Sequence, residues 1–189
     1  MARPLSPEKR LALLLAATEI VAEQGVMATT AGIARRAGVA EGSLFTYFEN
    51  KEGLFQELYR HLKRSLADVM MPDYPHQTSV QLRMQHVFQR YVGWGLENPT
   101  MRSAVARLSA SGVVLEETQK QALEPFRDVY QMMEDAIRSK AVVSAPPEFV
   151  WAVMESIADA TIDFVDKRPR DAEHRRNLGF ITVWKAIST

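Results

Sequence analysis

Apolar side chains recur every three or four positions along most of this chain, the spacing that gathers them on one face of an α-helix. No segment alternates apolar and polar residues for long enough to indicate a strand. The pattern therefore predicts an all-α protein of about nine helices. We place these helices at about residues 6–24, 30–37, 40–47, 51–70, 80–92, 99–111, 115–140, 147–166 and 171–187.

Capping and helix-breaking residues divide the chain into parts. Ser6 is placed to cap the first helix, Gly25 to end it, and Asn50 to cap the long fourth helix. The two prolines within residues 71–75 disfavour a helical backbone at the residues before them, so we place a hinge there. The predicted parts are an N-terminal helical domain over residues 1–50, a linking helix and hinge over 51–74, and a helical bundle over 75–189.

The stretch from Thr30 to Lys51 organises the N-terminal part. Thr30 is predicted to cap the second helix through its hydroxyl, and Gly38 lies where the chain must turn and a positive φ favours glycine. Leu44 and Phe48 lie four positions apart and are predicted to face the core. A short helix with an apolar back and a polar and aromatic front, entered from a glycine turn, indicates a helix-turn-helix that reads DNA.

This stretch resembles the N-terminal domain of the TetR family of transcriptional regulators. The resemblance covers the first quarter to third of the chain, and the remainder is similar to the family only in its length and in being all helical. The matching residues are Thr30, Ile33, Ala34, Ala37, Gly38, Val39, Gly42, Ser43, Leu44, Phe45, Tyr47, Phe48, Asn50, Lys51, Glu52 and Leu54. The resemblance implies a homodimer that binds a double-stranded DNA operator and responds to a small molecule.

The third helix and the start of the fourth carry the predicted DNA contacts. The resemblance implies that Tyr47 and Lys51 contact phosphates, and a phenol and an ammonium on adjacent turns suit that role. Ser43 and Thr30 can also donate to phosphate. Four residues are predicted to face the major groove, where side chains reach base edges. They are Glu41, Gly42, Phe45 and Thr46.

Two departures from the family pattern bear on affinity. Ala40 stands where a capping serine is common, which removes about 1 kcal/mol of helix stabilisation. Ala31 and Gly32 stand where polar or charged residues often occur, so the second helix offers fewer contacts to the DNA backbone.

Composition narrows the possible functions. The 189 residues contain 23 basic and 23 acidic side chains, and the excess up to Lys51 is a single positive charge, so DNA binding must rest on local geometry. There is no cysteine, which excludes disulfides and thiol redox chemistry. The four histidines lack metal-binding spacing, and no catalytic or cofactor motif occurs. We therefore expect a cytoplasmic, non-membrane protein that is neither an enzyme nor a holder of metals or cofactors.

A ligand chamber is predicted between the fifth, sixth, seventh and eighth helices. Pro125 is expected to kink the seventh helix and to free the carbonyl of Gln121. The resemblance implies a small-molecule pocket here, although methionine and aromatic side chains at helical spacing usually belong to an ordinary hydrophobic core. The candidate ligand contacts are Phe88, Tyr91, Trp94, Met101, Phe126, Tyr130, Met133 and Trp151.

The last two helices are predicted to form a four-helix dimer seam, as the resemblance implies, although part of their apolar surface must be intramolecular core. The candidate seam residues are Met154, Ile157, Thr161, Val165, Ile181 and Trp184. A second stripe on the eighth helix consists of Trp151, Glu155, Asp159 and Asp163. It fits either a cationic effector or pairing with Arg175 and Arg176.

We predict a sequence-specific transcriptional regulator, a repressor released from its operator by a small hydrophobic or aromatic effector. The alternative is a helix-turn-helix protein without an effector, acting as an architectural or protein-recruiting factor. A small helical enzyme would need convergent titratable groups in the chamber, and the sequence offers none. Arg3, in a loose arm over residues 1–5, could reach a minor groove.

Overall fold

A computed structural model describes residues 5–189, so Arg3 lies outside the described part of the chain. The predicted all-α class is confirmed, and the described residues contain helices and one isolated bridge between Val142 and Ser188. The α-helices are α1 Pro7–Gln24, α2 Thr30–Arg36, α3 Glu41–Tyr47, α4 Lys51–Met70, α5 Val80–Glu97, α6 Pro99–Ser111, α7 Glu116–Leu123, α8 Arg127–Arg138, α9 Pro147–Asp166 and α10 Ala172–Ile187. Short 3-10 turns occupy Gly25–Met27, Glu124–Phe126 and Pro169–Asp171.

The predicted seventh helix is two helices, α7 and α8. Pro125 lies in the 3-10 turn Glu124–Phe126 between them, so the chain breaks where a kink was expected. The reason is that proline has no N–H for the helical ladder and clashes with the preceding turn. The fifth helix also differs from its prediction, because α5 continues through Gly93 and Gly95 to Glu97. Trp94 is fully buried there, and its packing holds the helix together across both glycines.

The first helix begins and ends as predicted. The Ser6 hydroxyl accepts from the Lys9 N–H at 3.2 Å, and Gly25 has φ +62°. Leu11 and Leu15 lie on the side of α1 opposite the buried Leu13 and remain exposed. Met27, in the 3-10 turn that follows α1, is exposed too.

The chain forms two compact units. The first contains residues up to Ser65 together with Asn98–Glu124, and the second contains Leu66–Glu97 and Pro125–Thr189. In the first unit α1 packs against both α2 and α6, and Ala104 and Leu108 of α6 join its core. These units differ from the three segments expected from the sequence, so those segments stay a proposal about which residues serve which function.

In the second unit α9 packs against α5, α8 and α10. Gly179 lets α9 and α10 approach closely, since a Cβ at this position would lie 2.8 Å from Thr161 Cγ2 and 2.9 Å from Phe88 Cζ. None of the helices of residues 5–189 is long and apolar enough to cross a membrane.

Gly179→Ala is expected to lower the free energy of unfolding by about 1–3 kcal/mol, because the added methyl overpacks the contact between α9 and α10. Gly93→Ala is the matched control, since a Cβ there meets nothing within 4 Å. It should stabilise α5 by about 0.5–1 kcal/mol. Urea unfolding followed by circular dichroism measures both changes, and equal effects would contradict the close-packing argument.

Candidate nucleic-acid interface

The helix-turn-helix consists of α2 and α3, and its first cap differs from the prediction. The N-cap of α2 is Thr29, whose hydroxyl accepts from the Gly32 N–H at 3.1 Å. Thr30 is instead the first helical residue, and its hydroxyl donates to Glu41 Oε1 at 2.6 Å. Thr30 therefore ties the start of α2 to the start of α3. It does not cap α2, because the extended backbone that an N-cap requires falls one residue earlier, at Thr29.

The turn between the two helices follows the sequence pattern. Gly38 has φ +69°, and the Val39 N–H donates to the Ala34 carbonyl at 3.0 Å. Leu44 and Phe48 are buried, as predicted, and fix α3 on the core of the first unit. This anchoring determines which face of α3 is turned outward.

The outward face of α3 contains the four residues predicted to reach bases. Glu41, Gly42, Phe45 and Thr46 are all exposed, and Phe45 is among the exposed large apolar side chains of the chain. Ser43 is half-buried beside them. The exposed ring of Phe45 on this seven-residue helix can contact a thymine methyl in a major groove.

Ala40 is the N-cap residue of α3 and makes no side-chain capping bond, as the sequence indicated. Its φ of −66° and ψ of 143° already suit a capping residue. Ala40→Ser is therefore expected to raise the free energy of unfolding by about 1 kcal/mol, whereas Thr29→Ala should lower it by about 1 kcal/mol. Urea midpoints of the two variants test this pair, and a neutral Ala40→Ser would show that an α3 cap adds nothing to folding.

Tyr47 and Lys51 are both half-buried and both have intramolecular partners. The Lys51 ammonium donates to the Val26 carbonyl at 2.8 Å and lies 5.3 Å from the centre of the Phe55 ring. The Tyr47 hydroxyl accepts from the Ser6 N–H at 3.3 Å. An ammonium has three donors and the phenol retains its own hydrogen, so each group can also donate to a phosphate.

The start of α4 lies beside these two groups. Asn50 Oδ1 accepts from the Gly53 N–H at 2.7 Å, which confirms the predicted cap. The helix N-terminus adds partial positive charge next to Lys51. Arg36, in contrast, is held by Glu19 at 2.5 Å and by Glu23 at 3.3 Å, so most of its charge is neutralised within the unit. The positive field of this surface is therefore local.

The predicted ligand residues fall in both units. In the second unit Phe88, Trp94 and Met133 are buried, together with Tyr91 and Phe126. Tyr130 and Trp151 are half-buried, and their ring centres lie 5.7 Å apart.

Met101 does not join this group. It packs against the core of the first unit, where it accepts from the Ser65 hydroxyl at 3.5 Å. Met101 lies apart from the other candidates because α6 packs on α1, a long-range contact without a local sequence signal.

The predicted dimer seam needs a correction. Met154, Thr161 and Val165 are buried inside the second unit, so their side chains are unavailable to a second copy. Ile157 and Trp184 are half-buried, and Ile181 is exposed. Among the residues that α9 does expose on this side are Phe149, Ala160 and Phe164. Sequence reasoning missed them, although their spacing with Ile157 is itself a helical apolar stripe.

The acidic stripe of α9 has partners inside the second unit. The Tyr91 hydroxyl donates to Asp159 at 3.4 Å. Arg175, which the sequence offered as a partner for this stripe, instead contacts Asp171 at 3.4 Å. No group of three or more histidine, aspartate or glutamate side chains within residues 5–189 is placed to hold a metal ion.

Comparison with known proteins agrees with this geometry. The family described as "Bacterial regulatory proteins, tetR family" matches residues 13–58, which run from α1 into α4. The HTH-type transcriptional regulator YhgD of Bacillus subtilis (strain 168) is 27% identical, and the match covers 97% of this chain and 99% of the relative. The nucleoid occlusion factor SlmA of Haemophilus influenzae (strain PittGG) is 28% identical over 50% of this chain and 42% of its own length.

Solved structures show the same fold over nearly the whole chain. A TetR-family transcription regulator from Shewanella sp. PV-4 has a TM-score of 0.83 at 24% identity, over 96% of this chain and 98% of that chain. The regulator FadR from Bacillus subtilis, solved in complex with stearoyl-CoA, has a TM-score of 0.68 at 18% identity, over 92% of this chain and 96% of that chain.

Proposed function

Because residues 13–58 place the chain in the TetR family of bacterial regulatory proteins, we propose that this DNA-binding transcriptional regulator is a repressor, released from its operator by a small hydrophobic or aromatic effector. The observation that carries the proposal is the exposed face of α3, with Phe45 and Thr46 outward and Leu44 buried behind them. The protein would work in the cytoplasm, where the chromosome is.

The proposed DNA contacts divide into two kinds. Exposed residues of α3, Glu41 and Phe45 among them, would reach base edges and give sequence preference. Tyr47, Lys51 and Ser43 would contact phosphates and fix the position of α3. The Thr30 hydroxyl could donate to a phosphate only by giving up its bond to Glu41, because it has a single hydrogen. The Glu41 carboxylate, already accepting from Thr30, would be free on its other side to accept from a cytosine amino group.

Operator recognition in this proposal requires a homodimer. Two recognition helices meet successive major grooves on one face of DNA when they are about 34–36 Å apart. The exposed apolar side chains of α9 and α10, which include Phe164, Leu178 and Ile181, support a seam on these helices. The two helices of each copy would then form a four-helix arrangement.

The effector would bind among the aromatic side chains of the second unit. Phe88, Tyr91, Trp94, Phe126 and Met133 supply an apolar surface of the kind that lines small-molecule sites. The acyl-CoA in the solved FadR complex supports a hydrophobic effector class. Since α4 runs unbroken from Lys51 to Met70, a shift at its C-terminal end would reach the DNA contacts. A full switch needs several kcal/mol of preference for the released state.

A second candidate is a DNA-binding protein that needs no effector. The similarity to SlmA, which is a nucleoid occlusion factor, favours this second candidate over an enzyme. The burial of Phe88 and Trp94 also fits a filled core without space for a ligand. In this reading the second unit would only dimerise or recruit another protein.

Fluorescence anisotropy with the DNA upstream of the protein's own gene tests the proposal at a defined salt concentration. We expect tight, sequence-dependent binding that Phe45→Ala weakens, while Leu115→Ala, a change at another exposed apolar position of the same unit, has no effect. Binding that is weak for every sequence would contradict a specific regulator. Titration with fatty acids, acyl-CoA esters and aromatic compounds then separates the two candidates, since only the first predicts release.

A further inference from the structure

The Gln56 side chain bonds α4 to the connection between α6 and α7, which consists of residues 112–115. Its Nε2 donates to the Val113 carbonyl at 2.9 Å, and its Oε1 accepts from the Leu115 N–H at 3.0 Å. A glutamine amide carries both donors and an acceptor, so one side chain can pair with two backbone groups of another segment. All the residues concerned belong to the first unit, the unit that contains the helix-turn-helix.

Burial makes these bonds costly to lose. Gln56 is only 7% exposed, and buried amides are almost always paired. One turn later on the same face of α4, the Arg60 guanidinium donates to the Thr118 hydroxyl at 3.2 Å and to Gln121 Oε1 at 3.3 Å. Removal of the Gln56 amide would leave a carbonyl and an N–H of the connection without this partner, which costs more than the bonds contribute. This face of α4 is therefore held by the connection and by α7.

The α6–α7 connection is itself held in place, so it can support α4. The Val113 N–H donates to the Ser111 hydroxyl at 3.3 Å, and Gln119 Nε2 donates to the Val114 carbonyl at 3.0 Å. The connection begins at Gly112, whose φ of +73° ends α6 in the left-handed conformation. Since α6 packs against α1, the support of α4 leads back to the helix that precedes the helix-turn-helix.

The start of α4 carries the proposed phosphate contact on another face. The Lys51 ammonium donates to the Val26 carbonyl at 2.8 Å, so this part of the helix is tied to the turn after α1 as well. Gln56 follows Lys51 by five residues, which is about 7.5 Å along the helix axis and about 140° around it. Over so short a distance an α-helix moves as one body. A change in position or rotation at Gln56 is therefore passed to the ammonium and to the helix N-terminus.

We propose that Gln56 is a positioning residue for operator binding, which holds the start of α4 where Lys51 and the helix N-terminus meet a phosphate, and that Arg60 supports it from the next turn. The inference rests on the phosphate contact that the proposed function assigns to Lys51, and it adds a buried residue that acts through that contact. It also makes the α6–α7 connection part of the DNA-binding machinery, although this connection lies outside the residues 13–58 that match the family.

The test is a double-mutant cycle on operator affinity, measured by fluorescence anisotropy for the wild type, Gln56→Met, Lys51→Met and the double variant. Methionine is close to glutamine in length and forms no comparable hydrogen bond. Gln56→Met is expected to weaken operator binding about tenfold when Lys51 is present and less than about twofold in the Lys51→Met protein, because an ammonium that is absent cannot be misplaced. Gln131→Met makes the same change at an exposed glutamine of α8 and should leave the affinity unchanged.

The cycle distinguishes positioning from stabilisation alone. A glutamine that only stabilises the first unit would reduce operator affinity by the same factor with and without Lys51, so additive losses would overturn the inference and leave the proposed function standing. Thermal melting shows whether each variant is folded at the assay temperature. Should Gln56→Met not fold, the same cycle with Arg60→Lys decides, and non-additive losses are expected there too, because lysine keeps the charge but loses the fork that reaches Thr118 and Gln121. A wild type that binds all DNA sequences equally weakly would contradict the proposed function itself.

Discussion

Leu178→Asp is expected to make the protein monomeric and to lower its operator affinity by about a hundredfold or more. Leu178 lines a groove between α9 and α10 of the second unit and is 48% exposed, so the substitution should cost little in the fold of one copy. At a twofold seam the new carboxylate appears twice and must be desolvated in each copy. Each half of the operator would then be bound by an independent monomer, which loses the gain from linked sites.

Sedimentation equilibrium and operator anisotropy on the same samples measure both effects. The matched control is Leu82→Asp, which makes the same change at a leucine of α5 that is 52% exposed and outside the groove. That variant should remain dimeric and bind the operator as the wild type does. A Leu178→Asp protein that still dimerises would place the seam elsewhere, and a monomer with full operator affinity would contradict recognition by a dimer.

The helix-turn-helix could be predicted from the sequence because its signals are local. Gly38 supplies a positive φ within three residues of both flanking helices, and Asn50 caps the first turn of its own helix. The wrong N-cap prediction for α2 shows what local sequence signals cannot determine. Thr29 and Thr30 are both residues that cap helices well. The backbone determines which of them caps α2, and it is extended at Thr29, with φ −97° and ψ 147°.

The exposed face of α9 could be predicted only in part, because this helix is apolar on two sides. Met154 and Val165 belong to one stripe, Ile157 and Phe164 to the other, and both stripes have helical spacing. Which stripe faces inward depends on the partner helices. In this protein Gly179 brings α10 against Thr161, so the first stripe is buried and the second remains on the surface.

The position of α6 could not be predicted at all from local pattern. Its apolar residues, Ala104 and Leu108 among them, have the same spacing as those of a helix in a ligand-binding bundle. The structure packs them against α1 instead, about 90 residues earlier in the chain. This is why Met101, chosen as a ligand contact, belongs to the core of the first unit.

Lys51→Met is expected to lower operator affinity about tenfold or more and to reduce the slope of log affinity against log salt by about two for the dimer. The physical reason is that each copy loses one ammonium, so the complex neutralises two phosphates fewer and releases fewer counterions. Methionine keeps the length and packing of the lysine stem beside Phe55, so the change isolates the charge. Lys120→Met is the control, because it removes an exposed ammonium of α7 that pairs with Glu116.

The bond from Lys51 to the Val26 carbonyl makes the salt slope the deciding measurement. At 2.8 Å this bond ties α4 to the turn after α1, and its loss in Lys51→Met can weaken operator binding simply by loosening the first unit. A loosened unit would bind less tightly at every salt concentration and leave the slope unchanged, whereas a lost phosphate contact must flatten it. An unchanged slope would therefore assign Lys51 to the fold of the DNA-binding unit, and the phosphate contact would have to be sought at Tyr47.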